Sequence, residues 1–410
     1  MKELSGKIGN GTLLSLFLLV TMLDAGGGFY VKYIMMLVLA VDILVHIREF
    51  RITKSELLVF VLMPVFSLLC SVGINHVGLR SAVSALTYNV AIIYMLWIRM
   101  KKIPEQDVLE SLMRQLYIFA WVVIGSYLFL WVWEIAGQVA LGQKIAFFVR
   151  DRRAGLFGYD YFGSKIMPMV YWNASMFLIF AQALACHYKN RRYIIVIAAA
   201  NLVTMSTANV LLMGVILVLY LLSGDKKKRI MAVRFVAVCL LLAVVVFVVS
   251  RIAKGSLKTY VDDFLELAFS MGGSFIKLGH VQSAMKLILG SPVYLLLGMG
   301  GNSEFYSMGT KSIQTSMEVS QVECLRQFGL IYTVLFFAYI IYTMWKLWKA
   351  KYTMVCIGLV LLFIATATNP QLMSPMFLVV LFTCRYLTET KAPEDASAPE
   401  ADQDEAKAAI

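Results

Sequence analysis

Charge is scarce in this 410-residue chain: Asp, Glu, Lys and Arg together make up 15% of it, against 60% for apolar residues. A soluble domain is about 25% charged and about 45–50% apolar. The shortage of charge excludes a soluble enzyme, and the apolar excess excludes a disordered chain. Histidine is rarer still, at four residues. The six cysteines, Cys70, Cys186, Cys239, Cys324, Cys356 and Cys384, have no paired spacing, so neither a zinc site nor a disulfide framework is indicated. The glycine-rich segment Gly298-Met299-Gly300-Gly301-Asn302 lacks the Lys and Ser/Thr of a nucleotide loop. No metal and no cofactor are expected.

What fills the chain is apolar runs bounded by Lys and Arg, most of them long enough to cross a hydrocarbon core of about 30 Å as a helix. The pattern predicts an all-α polytopic membrane protein with twelve spans, at residues 12–24, 31–47, 55–74, 81–98, 117–137, 168–186, 193–207, 208–223, 230–252, 330–348, 352–369 and 371–387. Basic clusters follow the even-numbered spans: Arg48, Arg51 and Lys54; Arg99, Lys101, Lys102 and Arg114; Lys189, Arg191 and Arg192; Lys226 to Arg229; Lys346, Lys349 and Lys351. Excess Lys and Arg mark the cytoplasmic side, so both termini are expected there. The net charge of +12 is thereby a topology signal, and no nucleic-acid partner is expected. The first apolar run has no small-residue cleavage pattern after it and reads as a retained span. Residues 1–387 form one transmembrane domain, and 388–410, rich in Ala, Glu, Asp and Pro, read as a disordered acidic tail.

The run 193–222 is flanked by basic clusters on both sides. As one helix it would measure about 45 Å, so it must turn back, at Ser206-Thr207-Ala208-Asn209. Asn369-Pro370 makes the analogous break between the last two spans. Asp42 and His46, one helical turn apart near the basic side, are read as structural, and Asn173, Asn201 and Asn209 as hydrogen-bonding between helices.

Two outward loops are long, 138–167 and 253–329, and long loops are often functional. The first breaks the charge rule by placing Arg150, Arg152 and Arg153 on the side that otherwise avoids cations, among Phe157, Tyr159 and Tyr161. Guanidinium groups match phosphate oxygens with forked donors, and aromatic rings beside them suit a sugar. Pairing with Asp151, Asp160 and lipid headgroups is the alternative use for these arginines. The second loop carries periodic apolar positions of short amphipathic helices, and offers Glu318 and His280 as general bases toward a hydroxyl.

In order and topology these features resemble the Wzy-type polysaccharide polymerases and the related O-antigen ligases, bacterial membrane glycosyltransferases of GT-C-like architecture. The matching segments are Arg152-Arg153-Ala154-Gly155-Leu156-Phe157, Ser206-Thr207, Leu297-Gly298-Met299-Gly300, and Glu318 running to Gly329-Leu330. Many members have Arg where Thr207 stands and Gly-Arg where Gly279-His280 stands, and ligases generally have His near Glu318. The missing His argues for a polymerase. The resemblance implies transfer of a glycan from a polyprenyl diphosphate carrier to a sugar hydroxyl of a second carrier-linked unit, at the outer face of a bacterial plasma membrane, without metal or nucleotide. Arg152, Glu318 and His280 would be catalytic, and Arg150, Arg153, Tyr159 and Tyr161 would bind diphosphate or glycan. Membrane lipids, a chain-length regulator and a flippase are the further partners it implies. A ligase, a twelve-span transporter or flippase with Asp42 as coupling site, and a non-catalytic envelope scaffold remain as rivals.

Overall fold

The computed structural model describes residues 9–46, 51–162, 165–252, 258 and 271–389. It is mostly helical, and each of the twelve apolar segments contains helix: α1 Asn10–Leu23, α2 Val31–Val45, α3 Lys54–Gly73, α4 Leu79–Ala85 with α5 Ile92–Met100, α6 Glu105–Ile135, α8 Leu178–His187, α9 Arg191–Val203, α10 Thr207–Leu222, α11 Lys226–Ile252, α14 Ser320–Lys349, α15 Thr353–Ala365 and α16 Pro375–Tyr386. Between them lie α7 Val139–Asp151, α12 Met271–Leu289 and α13 Pro292–Leu297. By length and composition α3, α6 and α14 can each cross a membrane, and the bent pair 79–100 can make a fourth span. Of the expected tail, Thr388 and Glu389 are described and residues 390–410 are not.

The all-α class holds, with two short hairpins added: β1 Gly155–Phe162 pairs antiparallel with β2 Lys165–Trp172, and β3 Phe305–Ser307 with β4 Ser312–Gln314. The first hairpin also takes the opening residues of the segment expected as a span at 168–186, so regular α-helix there is confined to α8. Alternating burial at Pro168, Met169 and Val170 carries the period of two that a strand needs and a helix does not.

α8 and α16 form the axis of the bundle. Every residue of α8 from Leu178 to Cys186 is buried, as is every residue of α16 except Arg385. An all-round apolar helix belongs inside its bundle. Gly358 of α15 lets α8 approach closely, since a Cβ there would lie 2.7 Å from that of Ala183. Tyr94 with Thr383, and Tyr88 with Tyr332, hydrogen-bond between helices at 2.8 and 2.6 Å.

The run 193–222 does turn back, at Thr204–Ser206 and not at the expected 206–209, since Thr207 to Asn209 already belong to α10. Ser206 caps α10, and Asn209 donates to Asn201 and to the Ser175 carbonyl. In α3, Pro64 has no N–H for the residue 60 carbonyl, and a π-turn at Leu58–Leu62 absorbs the misfit. Inside α14, Gly329 at φ +77° kinks the helix.

Basic residues gather at one end. There Arg99 forks onto both Glu56 and Glu389, and Asp42 takes Lys101 and the Trp97 indole. A cavity of about 670 Å³ lined in part by Arg51, Lys102 and Glu105 opens beside Arg99. The other end carries both hairpins and is called the hairpin end below.

Candidate functional site

The hairpin end is built on a glycine turn between α1 and α2. The Asp24 carboxylate accepts from the backbone N–H groups of Phe29 and Lys32, at 3.0 and 3.3 Å. Lys32, only 2% exposed, donates Nζ to the Ala25 carbonyl at 2.6 Å and lies over the Tyr33 ring. Two glycines in this turn are required by a close approach. A Cβ on Gly26 would sit 1.6 Å from the Arg153 carbonyl oxygen, and one on Gly28 would sit 1.6 Å from that of Arg152. The backbone of the arginine loop therefore rests directly on the turn.

Beside Gly26, Asn173 holds the same loop, its side-chain amide donating to the Arg153 carbonyl at 2.6 Å and its N–H to that of Ala154 at 2.9 Å. Arg153 is held at φ +52°, a conformation that costs a non-glycine residue on the order of 1–3 kcal/mol and persists where its surroundings enforce it. The guanidinium groups are left outward. Arg150, Arg152 and Arg153 are all exposed, none forms an ion pair among the described residues, and Arg152 lies over the Phe148 ring at 5.7 Å. Of the two expected competitors, Asp151 is likewise exposed and takes none of them, and the side chain of Asp160 lies outside the described residues.

Tyr159, expected to meet a sugar, spends its hydroxyl on the Leu130 carbonyl at 2.9 Å and fills the space over Gly142. Burial, with Glu134 nearby, pushes its phenol above the usual range. It fastens the hairpin to the end of α6. Tyr161 lies on β1, and its side chain is outside the described residues.

The second loop is organised by two glycines that cross. Gly298 at φ +83° and Gly329 at φ +77° touch backbone to backbone: a Cβ on either would lie 2.3–2.4 Å from main-chain atoms of the other's segment. The kink at Gly329 frees two carbonyls of α14 from their helical partners. Met299 N–H bonds the Arg326 carbonyl at 2.7 Å and Gly300 N–H that of Gln327 at 3.1 Å. Asn75 then holds the Gly298 carbonyl, and Ser71 the Gly301 N–H. The glycine turn of 298–302 and the Gly329-Leu330 step, read separately in the sequence, are two halves of one crossing.

The two expected bases differ sharply. Glu318 is 53% exposed at its side chain and pairs with Lys277 at 2.9 Å. His280 on α12 is 6% exposed, packs edge-on against Phe305, and its Nδ1 has no hydrogen-bond partner among the described residues. The Phe305 ring is part of a small core with Ala284, Ile288 and Met317. Of the two expected bases, Glu318 is the one open to solvent.

The two loops meet at the turn of 366–372, the break expected at Asn369-Pro370. Asn369 donates to the Tyr171 hydroxyl of β2, Ser320 donates to the Asn369 carbonyl at 2.9 Å, and Lys277 reaches the Thr368 carbonyl at 3.2 Å. Arg152 and Glu318 thus stand on loops tied to a common turn. No hydrogen bond or ion pair joins them directly among the described residues.

Sequence reasoning passed over Arg326. It is fully buried; Nε and Nη2 fork onto Glu323 at 2.8 and 2.9 Å, Nη1 donates to the Ser303 carbonyl and hydroxyl, Nη2 also donates to the Thr315 carbonyl, and the Phe305 ring lies beneath it at 4.7 Å. All five donors are used. The i, i+3 pair Glu323–Arg326 was visible, but these residues were assigned to a loop ending at 329. Among the described residues no group of His, Cys, Asp and Glu could hold a metal ion. No protein-family model and no curated protein sequence matches the chain.

Proposed function

We propose that this protein is a polysaccharide polymerase of the plasma membrane, a twelve-span protein with both termini cytoplasmic and the hairpin end outward. It would transfer glycan from a polyprenyl diphosphate carrier to a sugar hydroxyl of a carrier-linked repeat unit. The observation that carries the reading is the arginine loop: three exposed guanidinium groups with no carboxylate partner among the described residues, on a backbone held by Gly26, Gly28 and Asn173. A rigidly placed, unneutralised cation cluster is what a diphosphate leaving group needs as its charge develops.

In the proposed step the acceptor oxygen attacks the anomeric carbon and the bond from that carbon to the carrier phosphate oxygen breaks. The electron pair leaves with the diphosphate, facing Arg152 with Arg150 and Arg153 beside it. The hydroxyl proton passes to the Glu318 carboxylate. His280 is too enclosed to receive it. A transporter would use Asp42 for coupling, but that carboxylate already serves Lys101 and Trp97 at the basic end. A ligase of the same superfamily would share the arginine loop, and Glu318 in place of His favours polymerase.

The test is an Arg152→Ala strain with matched membrane expression. Single repeat units displayed without polymer are the expected glycan profile. A normal length distribution overturns the role of Arg152, and repeat units trapped inside the cell point to a flippase.

A further inference from the structure

The exposed face of α14 changes character along its length. Ile331, Val334, Ala338 and Ile341 are exposed at helical spacing and form an apolar stripe. Over the last two turns the same face becomes aromatic and basic. Tyr342, Trp345 and Trp348 are 41%, 46% and 60% exposed, and the rings of Tyr342 and Trp345 stack at 5.7 Å. Lys346 Nζ lies 5.6 Å from both of those rings, Lys349 Nζ lies 4.2 Å over Trp345, and Arg385 from α16 covers Tyr342 at 5.0 Å. Only Arg385 of these cations has a carboxylate, Glu389 at 3.3 Å, and neither indole N–H has an acceptor among the described residues.

Large exposed aromatics stacked under cations are costly to leave in water and suit the boundary between hydrocarbon and headgroups, where one side is apolar and the other wet. We propose that the last two turns of α14, with Arg385, bind the head group of an anionic phospholipid. Its acyl chains would lie along the Ile331–Ile341 stripe and its phosphodiester would meet Lys346, Lys349 and the indole donors. Charge decides the class: two lysines with no carboxylate partner among the described residues and an arginine that shares Glu389 select a lipid of net negative charge over a zwitterionic one. The site is at the opposite end from the arginine loop and does not depend on the reaction proposed there.

The test uses the full chain in nanodiscs of phosphatidylcholine with graded phosphatidylglycerol, reading retained lipid by native mass spectrometry. Wild type should retain phosphatidylglycerol in preference to phosphatidylcholine. The Lys346→Ala/Lys349→Ala variant should lose that preference by about tenfold or more, and Lys346→Arg/Lys349→Arg should keep it. Should the double alanine variant fail to fold, Trp348→Ala, at an exposed position, should still weaken retention severalfold. Equal retention of the two lipids by wild type overturns the proposal. So does unchanged retention in well-folded variants, or displacement of the lipid by millimolar glycerol 1-phosphate, which would mean that the apolar stripe holds nothing.

Discussion

Arg152 and Arg326 lie at the same end of the molecule and are used in opposite ways. Arg326 is sealed inside, with each N–H committed to a carboxylate, a hydroxyl or a carbonyl, and it pins residues 303 and 315 to the start of α14. Around Arg152 the commitment is in the backbone, whose carbonyls are clasped by Gly28 and, one residue on, by Gly26 and Asn173, while the guanidinium groups stay exposed. A buried charge with full partners maintains architecture, whereas an exposed charge on an immobilised backbone is available to something else. The difference lies in where the hydrogen bonds end, and a count of charges along the sequence does not contain it.

The sharpest way to break the comparison is at Arg326. Arg326→Ala leaves the Glu323 carboxylate, 3% exposed, without its cation, which typically costs about 3–5 kcal/mol. Thermal unfolding of the purified protein in detergent should show a large fall in Tm. Arg326→Lys should recover little of it, because an ammonium group cannot reproduce the planar fork toward Glu323, Ser303 and Thr315 together. A variant that unfolds like wild type would mean that the network does not hold the loop. Polymerisation lost by Arg326→Ala in proportion to the amount of folded protein fits an architectural residue; loss in fully folded protein would move Arg326 into the reaction.

Gly28→Ala probes the other half with a smaller expected cost. The new methyl group meets the Arg152 carbonyl oxygen at 1.6 Å, so the arginine loop must lift away from the turn. Overpacking of this kind costs roughly 1–3 kcal/mol where the neighbour can shift. The protein should stay folded by size-exclusion chromatography yet lose polymer as Arg152→Ala does, because the guanidinium groups are displaced together. If Gly28→Ala polymerises normally, the rigidity of the loop is irrelevant and exposure of the arginines alone matters.

Much of the fold could be read from the chain, and the reasons are physical. Apolar runs marked segments that each contain helix, because a helix satisfies its backbone within its own segment and so leaves a long local signal, and three or four of them are long and apolar enough to cross a membrane. The turns at Thr204–Ser206 and Asn369-Pro370 were equally legible, one from polar caps and the other from proline. The Gly155–Trp172 hairpin was not. Its apolar residues merged with those of the next helix, and the alternation over Pro168 to Val170 is too short to outweigh them. At the site, the arginine loop stood out because its charges broke a rule. Arg326 did not, since its partners Ser303 and Thr315 are brought to it only by the crossing of Gly298 with Gly329. The same holds for Tyr171 and Asn369, far apart in sequence and joined by one hydrogen bond. Tyr159 shows the same limit: an aromatic ring beside arginines has the same sequence signature whether its hydroxyl faces a ligand or, as here, the Leu130 carbonyl.

Glu318 should give the smallest effect on stability and thereby isolate chemistry from architecture. Its partner Lys277 is one-third exposed and its own side chain is half exposed, so the pair is screened by water, and such pairs contribute about 0–1 kcal/mol. Glu318→Gln preserves the shape and can still hydrogen-bond Lys277 through its amide oxygen, so Tm should move little. The amide cannot accept the acceptor's proton, however. Polymerisation from lipid-linked repeat units in isolated membranes should therefore fall by about 10²- to 10⁴-fold, the range for loss of a positioned base. Glu318→Asp, which retains the carboxylate on a shorter arm, should recover part of the rate. A Gln variant as active as wild type would remove Glu318 from the reaction and leave the arginine loop as a binding surface whose base lies elsewhere. Matched loss in Gln and Asp variants, with lipid-linked substrate still bound, would instead make the distance from the turn of 366–372 the controlling quantity.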